Sequence, residues 1–463
     1  MTYDVIVIGA GPAGYVCAIR AAQLGQKVAI VDKQWMGGVC LNVGCIPSKS
    51  LLKNAEVAEL LRHGAKDFGF SIENLKLDFG AAVKRSRQVS NRLTKGVEFL
   101  MKKNKIEVHL GTALLKSKSS VEVTDKDGGK KTLDAKNIVI ATGARANMIP
   151  GVTADGKKVL TYWEAILQEK LPKSVVVIGS GAIGVEFSTI WNAYGAKVTI
   201  VEMLPSVVPL EDEDISKELG KQFEKAGITL KTSTKVEGID ASGDMVKIKV
   251  SGPGGSETLE AEQTLVAIGF RPNSENLGLE AAGVKIERGF IQIDDRMATN
   301  VPGVWAIGDV TGKLMLAHVG SAQGIVCAEH IAGHETVTLD YPFMPRATYC
   351  HPQVASFGLT EKQAKEKGYQ VKVGKFNFQA NGKALGLNDY GGFVKIITDE
   401  KYGEILGAHL IGPEVTELLP ELTLAHNMEL TAEEIARNVH AHPSLSEVLM
   451  ETAHGLAGGY IHI

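Results

Sequence analysis

The feature that most constrains this chain is a glycine fingerprint that occurs twice, each time between a β-rich run and a helix-forming run. The first copy, Gly9-Ala-Gly11-Pro-Ala-Gly14, follows the strand-like Asp4–Ile8 and leads into the helical spacing of Tyr15–Leu24; a second strand-like run, Lys27–Val31, then ends at Asp32. The second copy, Gly179-Ser-Gly181-Ala-Ile-Gly184, follows Ser174–Ile178, leads into a helix-like run to Tyr194, and is completed by Lys197–Val201 and Glu202. In both copies the acid stands 18 positions beyond the last glycine. A dinucleotide site requires this order of strand, glycine turn, helix, strand and acid. The turn brings unsatisfied helix N–H groups to a pyrophosphate, and the acid hydrogen-bonds a ribose hydroxyl. Close helix–strand packing alone would account for the third glycine of each copy but not for the other two.

Composition agrees with small-molecule work. Glycine supplies 51 of 463 residues against 15 prolines, an excess that marks tight backbone passages. Lys+Arg (50) and Asp+Glu (53) nearly cancel, which leaves no electrostatic footprint for nucleic acid or an acidic membrane. No run reaches about 18 uninterrupted apolar residues, and the first apolar run lacks the flanks of a signal peptide. The expectation is a soluble protein of a reducing, cytoplasmic compartment, or of a matrix or stroma if organellar.

The length suggests about three domains. Segment 51–104 reads as two helices, and polar alternation from Glu107 to Leu133 as a small antiparallel patch. From about Arg346 the pattern changes to strands (Ala347–Phe357, Gly392–Thr398, Ile405–Ile411) and helices (Glu414–Asn427, Ala432–Asn438), an α+β domain with a face for self-association. A carboxylate at Glu202, with no Arg in the next few positions, would repel a 2′-phosphate and favour NAD over NADP. FAD in one fold and NAD in the other is the simplest use of two sites, since a flavin exchanges hydride with a nicotinamide.

Two thiols, Cys40 and Cys45, lie directly after the first unit in Gly37-Gly38-Val-Cys-Leu-Asn-Val-Gly44-Cys-Ile-Pro-Ser-Lys49. A zinc site would need two further ligands, and no His occurs in the first 60 residues, so no metal is expected. A redox pair and a pair of inert core thiols both remain open on spacing, with the surrounding glycines and proline favouring the former. Cys17, Cys327 and Cys350, each alone in an apolar setting, read as core residues. Near the other end, Ser444-Leu-Ser-Glu447 reads as a capping box with Glu447 at the third helical position and His442 in the loop before it.

Together with Ala141-Thr142-Gly143, Gly308-Asp309 and His442-Pro443, these motifs resemble the FAD-dependent pyridine nucleotide–disulfide oxidoreductases over essentially the whole chain. The resemblance implies an α/β fold of two Rossmann-like domains, FAD-binding (1–145 and 273–343) and NAD-binding (146–272), plus a C-terminal α+β dimerisation domain (344–463). It implies that Cys45 faces the flavin, that Cys40 is the interchange thiol, and that Lys49 pairs with Glu186 beside the flavin ring. Asp309 would bond the ribityl chain, while Ala317 and His318 would lie near the flavin. Thr142 and Gly143 would line the passage between the folds, and Gly269 and Gly308 would form nucleotide-domain turns. His442 would be the acid/base, oriented by Glu447 and serving the disulfide of the other subunit of a homodimer.

Within the family, Gly38–Lys49, Ala21–Gly25 and His440-Ala-His-Pro443 look most like the members that oxidise dihydrolipoyl groups on acyltransferase or glycine-cleavage carrier proteins and reduce NAD+. Asp32, Val39 and Ser444 stand where Glu, Thr and Thr are usual, and Val39 bears on the flavin potential. The rival enzyme readings are a glutathione or mercuric reductase. The first lacks its basic residues after the second fingerprint, and the second its terminal cysteine pair. A flavin-binding scaffold is the non-enzyme reading.

Overall fold

The computed structural model describes residues 2–462. The chain opens with β1 (Thr2–Ile8), α1 (Pro12–Gln23), β2 (Val28–Asp32), α2 (Gly38–Val43), α3 (Cys45–Glu59) and α4 (Phe79–Lys103). Four strands come next: β3 (Glu107–Leu110), β4 (Thr112–Ser117), β5 (Ser120–Thr124) and β6 (Lys130–Ile140). Strands β3, β2, β1 and β6 run parallel, with Ile8 paired to Val31 on one side and Ile140 on the other. Helices α1 and α4 cover the face of Val5 and Val7, and strands β4 and β5 with residues 277–310 cover the face of Ile6, so all three are fully buried, as the unbroken apolar run requires. Strands β4 and β5 form an antiparallel meander onto β6.

The second unit repeats the plan. It comprises β7 (Ala144–Ala146), β8 (Val159–Leu160), α5 (Tyr162–Leu167), β9 (Ser174–Ile178), α6 (Ala182–Ala193), β10 (Lys197–Val201), α7 (Glu213–Lys225) and β11 (Thr229–Lys231). An antiparallel trio, β12 (Lys235–Asp240), β13 (Val246–Gly252) and β14 (Gly255–Ala261), precedes β15 (Gln263–Val266) and β16 (Phe270–Pro272). The parallel sheet has the order β11-β10-β9-β15-β8. Strands β7 and β16 pair antiparallel, Ala144 opposite Pro272, so the chain enters and leaves this unit through adjacent crossings.

After a short hairpin of β17 (Ile286–Glu287) and β18 (Phe290–Ile291), β19 (Val304–Ala306) pairs parallel with β6, returning the chain to the first sheet. Helix α8 (Ala317–Ile331) then lies on α1, so close that a Cβ at Gly324 would stand 2.6 Å from the Ala13 carbonyl oxygen. The last unit holds β20 (Arg346–Thr348), β21 (Gln353–Gly358), α9 (Glu361–Glu366), β22 (Val371–Asn377), α10 (Gly382–Leu387), β23 (Phe393–Asp399) and β24 (Ile405–Gly412). It closes with α11 (Val415–Asn427), α12 (Ala432–Arg437) and α13 (Glu447–Ala457). Its antiparallel sheet runs β20-β21-β24-β23-β22.

Four expectations shift. Residues 107–110 extend the parallel sheet rather than an antiparallel patch, because β3 docks on β2. The run Ala347–Phe357 is two strands, broken between Thr348 and Gln353. Edge strand β22 was not foreseen, since half of its residues face outward and its apolar alternation is short. The helix expected from about residue 51 starts at Cys45, with Pro47 in its first turn, where no intrahelical N–H donor is needed. Among the described residues no helix is long and apolar enough to cross a membrane.

Candidate functional site

The two fingerprints form the same object twice. Gly11 and Gly181 are the N-caps of α1 and α6, and neither helix start has a side-chain cap or an acid in its first turn. A Cβ at Gly14 would lie 1.8 Å from the Gly9 carbonyl oxygen, and one at Gly184 would lie 2.0 Å from that of Gly179. Gly9 and Gly179 have φ of +108° and +98°, and a Cβ there would meet Ala141 O and Ala267 O at 2.2 and 2.5 Å. A Cβ at Gly11 or Gly181 would meet nothing within 4 Å. The sequence expectation is corrected on this point: packing accounts for the first and third glycines, and only the second borders open space. Uncapped N–H groups facing that space suit a pyrophosphate.

The acids are held alike. Asp32 accepts hydrogen bonds from the N–H groups of Ala10 (2.8 Å), Gln34 (2.8 Å) and Trp35 (3.0 Å). Glu202, 8% exposed, accepts from Ser180 N and Oγ, both at 2.8 Å, and from Leu204 N at 2.9 Å. Trp35 stacks on Trp163 of α5, ring centroids 5.1 Å apart, tying the loop after Asp32 to the second unit.

Asp309 opens the short turn Gly308–Thr311 near the start of α8. Burial pushes its carboxyl up from 3.8 to about 6, and no cation or amide among the described residues relieves it. A half-buried carboxylate of this kind suits hydroxyl donors such as those of a ribityl chain. At the crossing, Thr142 Oγ1 donates to Asn273 O at 2.7 Å, and Asn273 N donates to Gly143 O at 2.9 Å. Gly269 shares that crossing through its carbonyl, which accepts from Asn147 N at 2.9 Å. Ala317 begins α8, and the exposed His318 bonds the Pro345 carbonyl through Nε2 at 2.7 Å. Both units thus fit a dinucleotide in donor set and cradle, and Asp309 adds an acceptor beside the first.

Cys40 and Cys45 are disulfide-bonded, their Cα atoms 4.7 Å apart; the bond ties α2, across Gly44, to the first residue of α3. A Cβ at Gly38 would lie 2.6 Å from Gly11 Cα, so the redox segment rests directly on the first fingerprint turn. Asn42, which sequence reasoning missed, locks the segment. Its Nδ2 donates to Met36 O (3.0 Å) and Gly38 O (2.9 Å), Thr94 Oγ1 donates to its Oδ1 (3.3 Å), and the Arg87 guanidinium donates to its carbonyl. The only sequence signal was a polar side chain buried in an otherwise apolar turn between the cysteines.

Lys49 Nζ sits 2.9 Å from both oxygens of Glu186, whose side chain is 6% exposed. Tyr349, also unforeseen, donates its N–H to Glu186 at 2.9 Å and places its ring 4.6 Å below Lys49 Nζ. This ion pair therefore joins α3, α6 and the last unit. Cys17, Cys327 and Cys350 are buried and free, as expected for core residues, but Cys17 and Cys327 adjoin each other rather than standing alone.

At the other end of the chain, His442 Nδ1 lies 2.9 Å from Glu447 Oε1, and Ser444 N donates to Glu447 Oε2 at 2.8 Å. Burial opposes ionisation of Glu447, but the Ser444 N–H and His442 outweigh it and hold its carboxyl low. The capping box is half formed: Ser446 is the N-cap, Glu447 is the first helical residue, and the Ser444 hydroxyl faces Ser446 Oγ at 3.0 Å. His442 is 80% exposed, with Nε2 free of protein partners among the described residues. His440, its competitor, is 3% exposed and bonded to Glu421 at 2.9 Å, a structural pair. Within one chain, no hydrogen bond among the described residues links the His442–Glu447 pair to the disulfide.

Comparison with known proteins places this geometry in context. The pyridine nucleotide-disulphide oxidoreductase family matches residues 3–324, and the dimerisation domain of that family matches residues 344–453. The dihydrolipoyl dehydrogenase of Mycobacterium tuberculosis is 54% identical over 463 residues, covering 99% of each chain. That of Mycobacterium leprae is 53% identical over 466 residues, again covering 99% of each. The crystal structure of LpdA from Mycobacterium tuberculosis superposes with a TM-score of 0.91 at 26% identity, covering 98% of this chain and 99% of the other.

Proposed function

The chain belongs to the pyridine nucleotide-disulphide oxidoreductase family, and from that premise we propose that it oxidises protein-bound dihydrolipoyl groups and reduces NAD+, with FAD between them. The observation that carries the reading is the Cys40–Cys45 disulfide together with an exposed His442 whose Nδ1 is held by Glu447. The choice of substrate rests on the 54% identity to a dihydrolipoyl dehydrogenase over the full length. The choice of NAD+ rests on Glu202, which is followed by Met203, Leu204 and Pro205 rather than by basic residues.

FAD would occupy residues 1–145 and 273–343, NAD+ residues 146–272, and a second subunit would meet residues 344–463. When bound, the two cofactors supply the hydride chemistry that thiols lack. His442 takes the proton of one dihydrolipoyl thiol at Nε2, while Glu447 fixes the tautomer and stabilises the imidazolium. The resulting thiolate attacks Cys40 Sγ, so an S–S bond to substrate forms, the Cys40–Cys45 bond breaks and Cys45 leaves as a thiolate. The second substrate sulfur displaces Cys40 Sγ, which leaves carrying that sulfur's proton, and closes the lipoyl disulfide, leaving two electrons on the cysteine pair. Lys49, paired with Glu186, would lie beside the flavin ring and supply positive charge there. His442 and the disulfide act across a homodimer, each subunit completing the other's site. The lipoyl carriers are acyltransferases or glycine-cleavage carrier proteins, and the setting is a reducing cytoplasm that keeps the three buried thiols free.

Steady-state rates with dihydrolipoamide and NAD+, beside NADP+ and glutathione disulfide, test the reading; faster turnover with either alternative refutes it. His442→Gln is expected to lower dihydrolipoamide turnover by roughly 10²–10⁴ while sparing NADH–dye reduction. Equal loss of both activities rules out the acid/base assignment.

A further inference from the structure

Outside the site described above, the densest cluster of charged side chains surrounds Lys395. This lysine, 4% exposed on β23, reaches Asp212 Oδ1 at 2.9 Å, Asp214 Oδ2 at 3.1 Å and Glu361 Oε2 at 2.8 Å. Asp212 is itself 3% exposed; it caps α7 by accepting from Asp214 N at 3.1 Å and accepts from Glu361 N at 3.2 Å. The lysine belongs to a polar row across the last sheet, since Lys375 is opposite Lys395, Lys395 opposite His409, His409 opposite Ser356 and Ser356 opposite Arg346. Arg346 approaches Glu211 at 3.8 Å. The sheet thus presents cations to the acidic run Glu211–Asp214 of the second unit.

That run ends the loop that begins at Glu202. At its near end the loop is tied to the fingerprint, because Glu202 accepts from Ser180 and Val208 N donates to Ser180 O at 3.1 Å. Val208 sits at φ +40°, a conformation an L-residue with a branched side chain adopts only under constraint. Between the ties, packing holds the loop at Val207 and Val208, which are buried in the core, while Met203 and Leu210 are exposed by 66% and 83%. At its far end the fully desolvated anchor is Asp212 on Lys395. Burial would lower the lysine's affinity for its proton, but the three carboxylates overcome this and raise it, so the anchor is ionic.

We propose that Lys395, a residue of the dimerisation domain, is a positioning residue for the pyridine nucleotide: it clamps the far end of the Glu202–Asp212 loop and so holds the ribose-reading carboxylate in place. The inference rests on the reading of the second unit as the NAD site. It also makes nucleotide recognition depend on the domain that joins the subunits.

The test uses the FAD-loaded dimer. Lys395→Met with Asp212→Asn removes both fully buried charges and leaves Asp214 with Lys375 (3.4 Å) and Glu361 with Lys365 (2.5 Å). The expected result is a rise of roughly tenfold, about 1.4 kcal/mol, in the dissociation constant of NADH, measured by direct titration, and in the NAD+ KM. The dihydrolipoamide KM and the flavin spectrum stay unchanged, and Lys395→Arg returns NADH binding to within about twofold of the parent. NADH binding within about twofold of the parent in the double variant, or equal rises in both KM values, overturns the proposal. If the double variant does not accumulate as holoenzyme, Glu361→Gln gives the same reading on a smaller scale. A parent enzyme that binds NADH yet ignores dihydrolipoamide refutes the proposed function and leaves this titration meaningful.

Discussion

The two glycine units are built to one plan, yet they differ in the segment just beyond the acid. In the first, the loop after Asp32 turns inward: Trp35 stacks on Trp163, and Gly38 presses against Gly11 before the chain enters the disulfide segment. In the second, the loop after Glu202 sends only Val207 and Val208 into the core, leaves Leu210 83% exposed, and is further secured by Ser180 and by Lys395. The fingerprint builds an uncapped helix start beside open space in both places. Chemistry is added by the loop after it, which delivers thiols in one unit and stays open in the other.

The largest expected effects come from the glycines themselves. Gly14→Ala places a Cβ 1.8 Å from a backbone oxygen that cannot move, so the protein should accumulate poorly and carry little flavin, measured by absorbance. Gly184→Ala makes the same clash at 2.0 Å, but should spare flavin content and abolish NADH binding. Loss of flavin in both variants would mean that the two units do not divide the cofactors.

A smaller effect separates the acids. Glu202→Ala should lower the preference for NAD+ over NADP+ by roughly ten- to a hundredfold in kcat/KM, the equivalent of about 1.4–3 kcal/mol. Ser180→Ala, which removes one of the three bonds to that carboxylate, should lower it by only a few-fold. An unchanged ratio in Glu202→Ala would refute the ribose assignment.

A separate effect, on stability rather than turnover, is a pH dependence confined to the first unit. Burial raises Asp309 from 3.8 to about 6, so the folded apoprotein holds that proton more tightly than the unfolded chain does. The stabilisation of the protonated form is fully present below about pH 4 and is lost as pH rises through about 6. Asp309→Asn should therefore stabilise the apoprotein by roughly 1–3 kcal/mol at pH 7.5 and by almost nothing near pH 4. Chemical denaturation at both pH values checks this, and a pH-independent difference would count against a half-buried, unpaired carboxylate.

Much of the molecule was legible in its residues because the informative signals are local. A glycine that must admit a carbonyl oxygen at about van der Waals contact leaves no choice of residue, so Gly9, Gly14, Gly179 and Gly184 announce their turns. Apolar runs such as Val5–Val7 and Val175–Val177, bounded by those turns, announce parallel strands. The five-position spacing of Cys40 and Cys45 within glycines suggested a redox pair before any fold was visible.

What the sequence determined, then, was the kind of unit, its repetition and the reactive side chains, because each depends on contacts within about 30 residues. The tertiary structure decided everything that joins distant segments. Asn42 meets Arg87 and Thr94, Lys49 meets Tyr349, and Lys395 meets Asp212, partners separated by 45 to 300 positions. Burial alone gives such groups their meaning, since a lysine and an aspartate that look like surface charges become an anchor only when folding removes both from water. It also decided that His440 is locked in the structure while His442, two residues on, is exposed, its outer nitrogen free of partners among the described residues.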